Sequence, residues 1–379
     1  MNIHRWIARR AFASVFVGAL VISAAAPMRA TAQGAASLPE RLNDKDYWKL
    51  LNDISEPGGY FRIEDNYTSN EGEVGQLATM LRAAHVVGGV YMGVGPEQNL
   101  SYIAAVRPTM AFICDIRRQA VMQHLMFKAV FELAKDRADF ISILFSKPRP
   151  AGLDSTTSIQ KMWGAFDTVT TSASAHTQNY NDIVAKLTRT QGFTFTEDES
   201  AKLKAVYDAF YVYGPQITTR GSMSGRGGNM TFVDLTGWSV DDTGQPQSFL
   251  STEDNYRYLK TLQEKNLIVP VSGDFGGTKA IRAIGAYLKD HGGVVSAFYV
   301  SNVEQYLDMD GKLQTFYDNV ATLPVNETSV FIRPYSMRRG TGGSTRALCP
   351  IAGFLKAAAA GRVYSNNAAL ACPTLAPLH

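Results

Sequence analysis

The stretch from Gly88 to Asp115 constrains this chain most. A short apolar strand, Gly88–Met92, leads into the glycine turn Gly93-Val94-Gly95-Pro96, and a helical pattern runs over 97–106. Pro108 breaks that helix, and a second buried strand, Met110–Cys114, ends on an acid at Asp115. Strand, glycine turn, helix, strand and acid form the layout of a dinucleotide or S-adenosylmethionine site in a parallel sheet. Glycine lets the backbone turn sharply against a ligand, and the helix start offers unpaired N–H groups. Asp115 follows Gly93 by 22 positions, where a carboxylate accepts hydrogen bonds from ribose hydroxyls.

The glycine pattern is incomplete in an informative way. Gln98 stands where a third glycine belongs, and Glu97 at the helix start repels a pyrophosphate. S-adenosylmethionine carries no phosphate and has a cationic sulfonium, so an acid there is tolerated. The cofactor-binding set predicted on this basis is Gly93, Val94, Gly95, Glu97, Asn99 and Asp115. A tight turn with no cofactor is the plainer alternative.

Alternation of strand and helix continues along the chain. Amphipathic helix is expected at 47–51 and again over 74–84, the latter starting near Ser69 or Asn70. A helical pattern covers 117–137. Residues 150–265 are mostly helical and more polar, and they read as an insertion or cap that includes the glycine-rich loop 220–228. Strands return at 267–271, 294–300 and 329–333, with a helix over 278–289. The predicted fold class is α/β: a Rossmann-like, methyltransferase-type, mostly parallel sheet with helices on both faces and a helical insertion. In such a sheet the turn Gly273-Asp274-Phe275-Gly276-Gly277 and the segment Ser301–Tyr306 lie at the same edge as Gly93. Asp274, Asn302 and Glu304 are therefore the candidate catalytic or substrate-facing residues. Asp274 and Asn302 can instead be helix caps.

Composition removes several function classes. A net charge of +3 over 379 residues, with no basic stripe, argues against a nucleic-acid binder. The six histidines are scattered, with no paired zinc spacing. Met223 occupies the centre of Gly221–Gly225, so no serine nucleophile elbow forms there. Asp308-Met309-Asp310-Gly311 lacks the full ligand series of a calcium loop. The basic loop 333–346 is a candidate anion binder or simply a solvated loop.

The amino terminus reads as an export signal. Arg5, Arg9 and Arg10 precede an apolar run, and Ala30-Thr31-Ala32 fits signal cleavage before Gln33. Arg9-Arg10-Ala11-Phe12 also fits a twin-arginine signal, a route that exports folded proteins. The expected organisation is a signal peptide over 1–32 and one α/β domain over 33–379, periplasmic or secreted, with no stable membrane span after cleavage. In an oxidising compartment Cys349 and Cys372 can pair, whereas Cys114 reads as a buried strand residue.

The segments SEPGGYFR, SNE, GGVYMGVGPEQN, FICDIRRQ, FLSTEDNYRYLKTLQEKNLIVPVSGDFGG, KAIRAIG and SNVEQYL make the mature chain resemble a family of bacterial proteins, many with signal peptides. That resemblance implies a methyltransferase-like Rossmann fold and supplies no established reaction. By the methyltransferase analogy Gly93 and Gly95 form the cofactor loop and Asp115 binds the ribose. Met92 stands where methyltransferases usually place an acid. The leading expectation is an S-adenosylmethionine-dependent methyltransferase-like protein acting on a small molecule. The alternatives are a non-catalytic periplasmic binding or scaffold protein and an exported NAD(P)-binding oxidoreductase.

Overall fold

In the computed structural model, residues 37–61, 65–221, 230–333 and 347–373 are described. The expected signal peptide, most of the loop 220–228 and all of the basic loop except Arg333 lie outside the described residues.

Helices α1 (Asp44–Ile54) and α2 (Val74–Ala83) precede the first strand, β1 (Val90–Gly93). Helix α3 (Gln98–Val106) joins β1 to β2 (Met110–Asp115). Between β2 and β3 (Ile268–Ser272) come α4 (Arg118–Leu133), α5 (Arg137–Phe145), α6 (Ile159–Asp167), α7 (Ala173–Ala185), α8 (Glu197–Tyr213), α9 (Phe232–Gly237) and α10 (Glu253–Glu264). Helix α11 (Ala280–Asp290) leads to β4 (Val295–Tyr299), then α12 (Val303–Met309) and α13 (Leu313–Val320) lead to β5 (Val330–Ile332). The antiparallel strand β6 (Leu348–Pro350), α14 (Ile351–Ala359) and α15 (Asn366–Leu370) close the described chain.

The sheet order is β3-β2-β1-β4-β5-β6, with the first five strands parallel and β6 antiparallel to β5. This is the α/β, mostly parallel architecture that the sequence predicts. Strands β1, β2 and β3 are buried at every residue, which is why they appear as continuous apolar runs rather than alternating ones. The chain builds outward from β1 through β2 to β3, then crosses to β4 on the other side of β1. The boundary between β1 and β4 is thus the switch point where an open α/β sheet leaves a crevice beyond its strand ends.

Three local expectations change. The helical pattern over 117–137 splits, because Ala134 is extended and Asp136 caps a new helix by accepting the Asp139 N–H. The helix expected near Ser69 starts at Val74 instead; the Ser69 hydroxyl serves a turn, accepting the Glu71 N–H at 3.1 Å. Strand β6, three residues long, had no signal in the alternation.

The helices between β2 and β3 are tied to one another by a buried cation on α5. Arg137 donates to the carbonyls of Ser155, Thr157, Leu250 and Ser251 and pairs with Glu253 at 3.0 Å. Removing one partner of such a pair leaves an uncompensated buried charge, so this junction is fixed. At the other end, Cys349 on β6 is bonded to Cys372, with Cα atoms 5.7 Å apart. Among the described residues no helix is long and apolar enough to cross a membrane.

Candidate functional site

A cleft of about 290 Å³ lies at the carboxyl edge of the sheet. Every parallel strand from β3 to β4 contributes its end: Gly273–Phe275 after β3, Asp115–Arg117 at β2, Val94–Pro96 after β1, and Tyr299 with Ser301–Val303 at β4. The volume sits at the lower end of the range for small-molecule sites, and the position is where the topology places one.

The glycine turn after β1 is shaped from within. Asn99 is fully buried, and its amide Nδ2 donates to the carbonyls of Val94, Gly95 and Pro96 at 2.9, 3.1 and 2.8 Å. Its Oδ1 accepts the Tyr91 hydroxyl at 2.9 Å. Asn99 therefore clamps the turn and turns away from the cleft. Gly93 is glycine for the same reason, since a Cβ there would lie 1.9 Å from Asn99 Oδ1. Gly95 has φ +83°, in the left-handed region, and an added Cβ would meet only Asn66 Nδ2 at 3.9 Å. Of the predicted cofactor loop, Val94 and Gly95 line the cleft; Glu97 and Asn99 do not.

Glu97 is buried behind the turn. Both carboxyl oxygens lie 3.2 Å from the Ser69 N–H, and the group also accepts from its own backbone N–H. Burial pushes its pKa up to about 8, against the pull of these two N–H donors. The carboxyl makes no side-chain cap on α3; it is held by the Ser69 N–H and by its own, just before the helix starts.

Asp115 ends β2 facing the cleft. Oδ1 accepts the Arg117 N–H at 2.9 Å and Nε at 3.0 Å, and Oδ2 accepts the guanidinium at 2.8 Å. Burial works against the charge, but the Arg117 guanidinium and N–H outweigh it and hold the carboxyl below the usual range. Beneath the turn, His124 Nε2 lies 2.9 Å from the Gly95 carbonyl. A carbonyl can only accept, so Nε2 carries the proton. Burial lowers the imidazole pKa and keeps it neutral against the opposing pull of Gly95 and Asp115.

The three candidate catalytic residues separate. Asp274 lines the cleft, accepts the Gly276 N–H at 2.9 Å and pairs with Lys312 at 2.9 Å. It does not cap α11; Glu56 does so from far away in sequence, accepting the Ala280 N–H at 2.8 Å and those of Lys279 and Asp274 at 3.2 Å. Asn302 lines the cleft and makes no side-chain cap on α12. Glu304 is removed from the cleft: it is 1% exposed, bonded twice to Arg333 at 2.7 and 2.9 Å, and accepts the Tyr317 hydroxyl at 3.0 Å. Its role is to hold α12, α13 and the end of β5 together.

Several cleft residues had no individual role in the sequence reading. Ser55–Phe61 runs as a strap over the ends of β3 and β2, with Glu56 N–H bonded to the Ser272 carbonyl at 2.7 Å and Gly59 N–H to the Ile116 carbonyl at 2.8 Å. A Cβ on Gly59 would lie 2.7 Å from the Ile116 side chain, so the strap needs glycine to lie this close. At its end Phe61 meets Tyr306 edge-on, with ring centres 4.8 Å apart, and both line the cleft. Ser301, at the end of β4, has φ +46° and donates to Glu71, which also accepts the Tyr299 hydroxyl at 2.8 Å. Burial raises the Glu71 pKa, an effect the Ser301 and Tyr299 hydroxyls partly offset. For the strap and Glu71 the resemblance segments SEPGGYFR and SNE were the signal; Ser301 and Tyr306 lie in the segment already expected at this edge.

Residues 67–208 and 237–347 match a family model described as a domain of unknown function (DUF7790), and both matched stretches contribute to the cleft. No curated protein matches the chain. The match covers more than half of the sequence, and the chain belongs to the DUF7790 family.

Proposed function

We propose that the cleft binds a phosphate-free adenosyl ligand of the S-adenosylmethionine class and serves methyl transfer to a small molecule. One observation carries the reading: after the second glycine turn the start of α11 already holds a carboxyl group of the protein, Glu56 on the Ala280 N–H, and after the first the Glu97 carboxyl is buried beside the start of α3. A pyrophosphate at the start of α11 would have to compete with Glu56 for the N–H groups there. A ligand with a ribose and a cationic centre meets Asp115 and an acidic edge, which favours it.

Asp115 would hold the ribose hydroxyls, and Val94 and Gly95, which line the cleft, would lie against the sugar. The bound sulfonium would supply an activated methyl group. Asp274 and Asn302 line the same cleft and would orient the acceptor, while Phe61 and Tyr306 limit water. Methyl transfer draws most of its rate from alignment, so these positioning groups suffice as machinery. Export through the amino-terminal signal belongs to the same proposal, and replacing Arg9-Arg10 with Lys-Lys tests its twin-arginine form: unchanged export removes it.

Mass spectrometry of small molecules released from the purified protein, with thermal shifts on the emptied protein, tests the reading. S-adenosylmethionine and its demethylated product are expected to raise Tm, and Asp115→Asn to remove most of the rise. A shift with NAD(P) alone assigns an oxidoreductase, and no shift with any of them assigns a binding or scaffold protein; either result overturns methyl transfer.

A further inference from the structure

The second cleft of the molecule lies among the helices between β2 and β3, away from the sheet edge. It has a volume of about 590 Å³ and lies between α6, the carboxyl end of α8 and α9. Four aromatic side chains border it: Trp238 is open to solvent, Tyr213 and Tyr211 are half-buried, Tyr211 with one face on His176, and Trp163 is buried at its edge. Trp238 is 52% exposed and Val212 beside it 61%, an unusual outlay of apolar surface for a soluble face.

The wall between these rings is bare by choice of residue. Gly164 sits inside α6, where glycine is a poor helix former. No backbone or packing need explains it: its φ is not positive, and a Cβ built there touches nothing within 4 Å. Alanine would fit and would favour the helix. What glycine preserves is open space in the wall of the cleft.

The polar groups around the rings narrow the ligand class. The one lysine in the lining, Lys147, commits its ammonium to the carbonyls of Phe166 and Val169 at 2.9 and 2.6 Å. Asp167, Thr170, Thr171 and Gln216 supply acceptors and hydroxyl or amide donors around the aromatic floor. No concentration of charge selects an ion. A ligand with flat apolar C–H faces and a rim of hydroxyls fits this combination, stacking on the rings while its edge is hydrogen-bonded.

We propose that this cleft is a binding site for a neutral oligosaccharide, separate from the cleft at the sheet edge and independent of the reaction there. Two of the chain's four tryptophans border it, so intrinsic fluorescence reports occupancy directly. The test titrates the mature protein with cellotetraose, maltotetraose, chitotetraose and a decaproline peptide, and measures Tm for each variant. At least one of the three glycans is expected to give a saturable fluorescence change. Trp238→Ala should weaken that binding by about tenfold or more, and Gly164→Leu should abolish it. Gly164→Ala should raise Tm and still weaken binding, which separates blockage from misfolding. The proposal is overturned if none of the glycans binds saturably, if decaproline alone binds, or if a folded Gly164→Leu protein binds as the parent does.

Discussion

After β1 the chain turns through Gly93–Pro96 and is clamped by Asn99, three to five positions ahead. After β3 it turns through Gly273–Gly277 and is held by Glu56, 218 to 224 positions away. Both turns open a helix at the same sheet edge, and in both a carboxyl group of the protein stands at the helix start. The first turn is a local device whose parts lie in one segment. The second exists only once the sheet has formed and the strap of residues 55–61 crosses it. The two routes differ electrostatically: Glu56 caps the start of α11 with its carboxyl, whereas Glu97 is buried with its pKa pushed up to about 8 and is largely uncharged at neutral pH.

The comparison breaks most readily at Asn99. Asn99→Ala would leave the Tyr91 hydroxyl and the turn carbonyls short of partners in a buried site. A loss of about 3–4 kcal/mol in urea unfolding is expected; a loss below about 1 kcal/mol would mean the turn holds itself.

Glu97 gives the next effect, as a pH dependence. Its folded pKa of about 8 lies above the ordinary 4.5, so the folded state binds the extra proton between those values. Stability should therefore fall as pH rises from about 4.5 to 8 and level off above, with the drop on the order of 4–5 kcal/mol. Glu71 is raised in the same direction and adds to the slope. Glu97→Gln should flatten the profile and make the protein more stable than the parent at pH 9. A steeper profile in that variant would contradict burial as the cause.

At the second turn, Glu56→Ala removes the distant cap of α11 and one anchor of the strap, for about 1–2 kcal/mol. Hydrogen exchange at Lys279 and Ala280 should accelerate with it, while that at Gln98 stays unchanged. Lys312→Ala is the smallest change: the Lys312 side chain is 47% exposed, and the loss should stay below about 0.5 kcal/mol. A larger loss would show that Asp274 needs its ion pair to remain in place.

How much was legible follows from the same contrast. The glycine turn, the acid ending β2 and the alternation were readable because they are contiguous and because strands buried on both faces leave unbroken apolar runs. The inward turn of Asn99 was not, since all nine residues of α3 are buried, Gln98 and Ser101 included, and a helix without an exposed face has no phase to read. Glu304 looked ligand-facing because it follows a strand. Its buried partner Arg333 comes 29 residues later, beyond the reach of a local pattern. The Glu56 cap was hidden for the same reason, on a larger scale.

Calorimetric titration of the purified protein with S-adenosylhomocysteine and, separately, with NAD+ tests the central claim most directly. Closure of the α11 start by Glu56 predicts binding of the phosphate-free ligand with a Kd of about 1–100 μM and at least tenfold weaker binding of the dinucleotide. Tighter binding of NAD+ would contradict it.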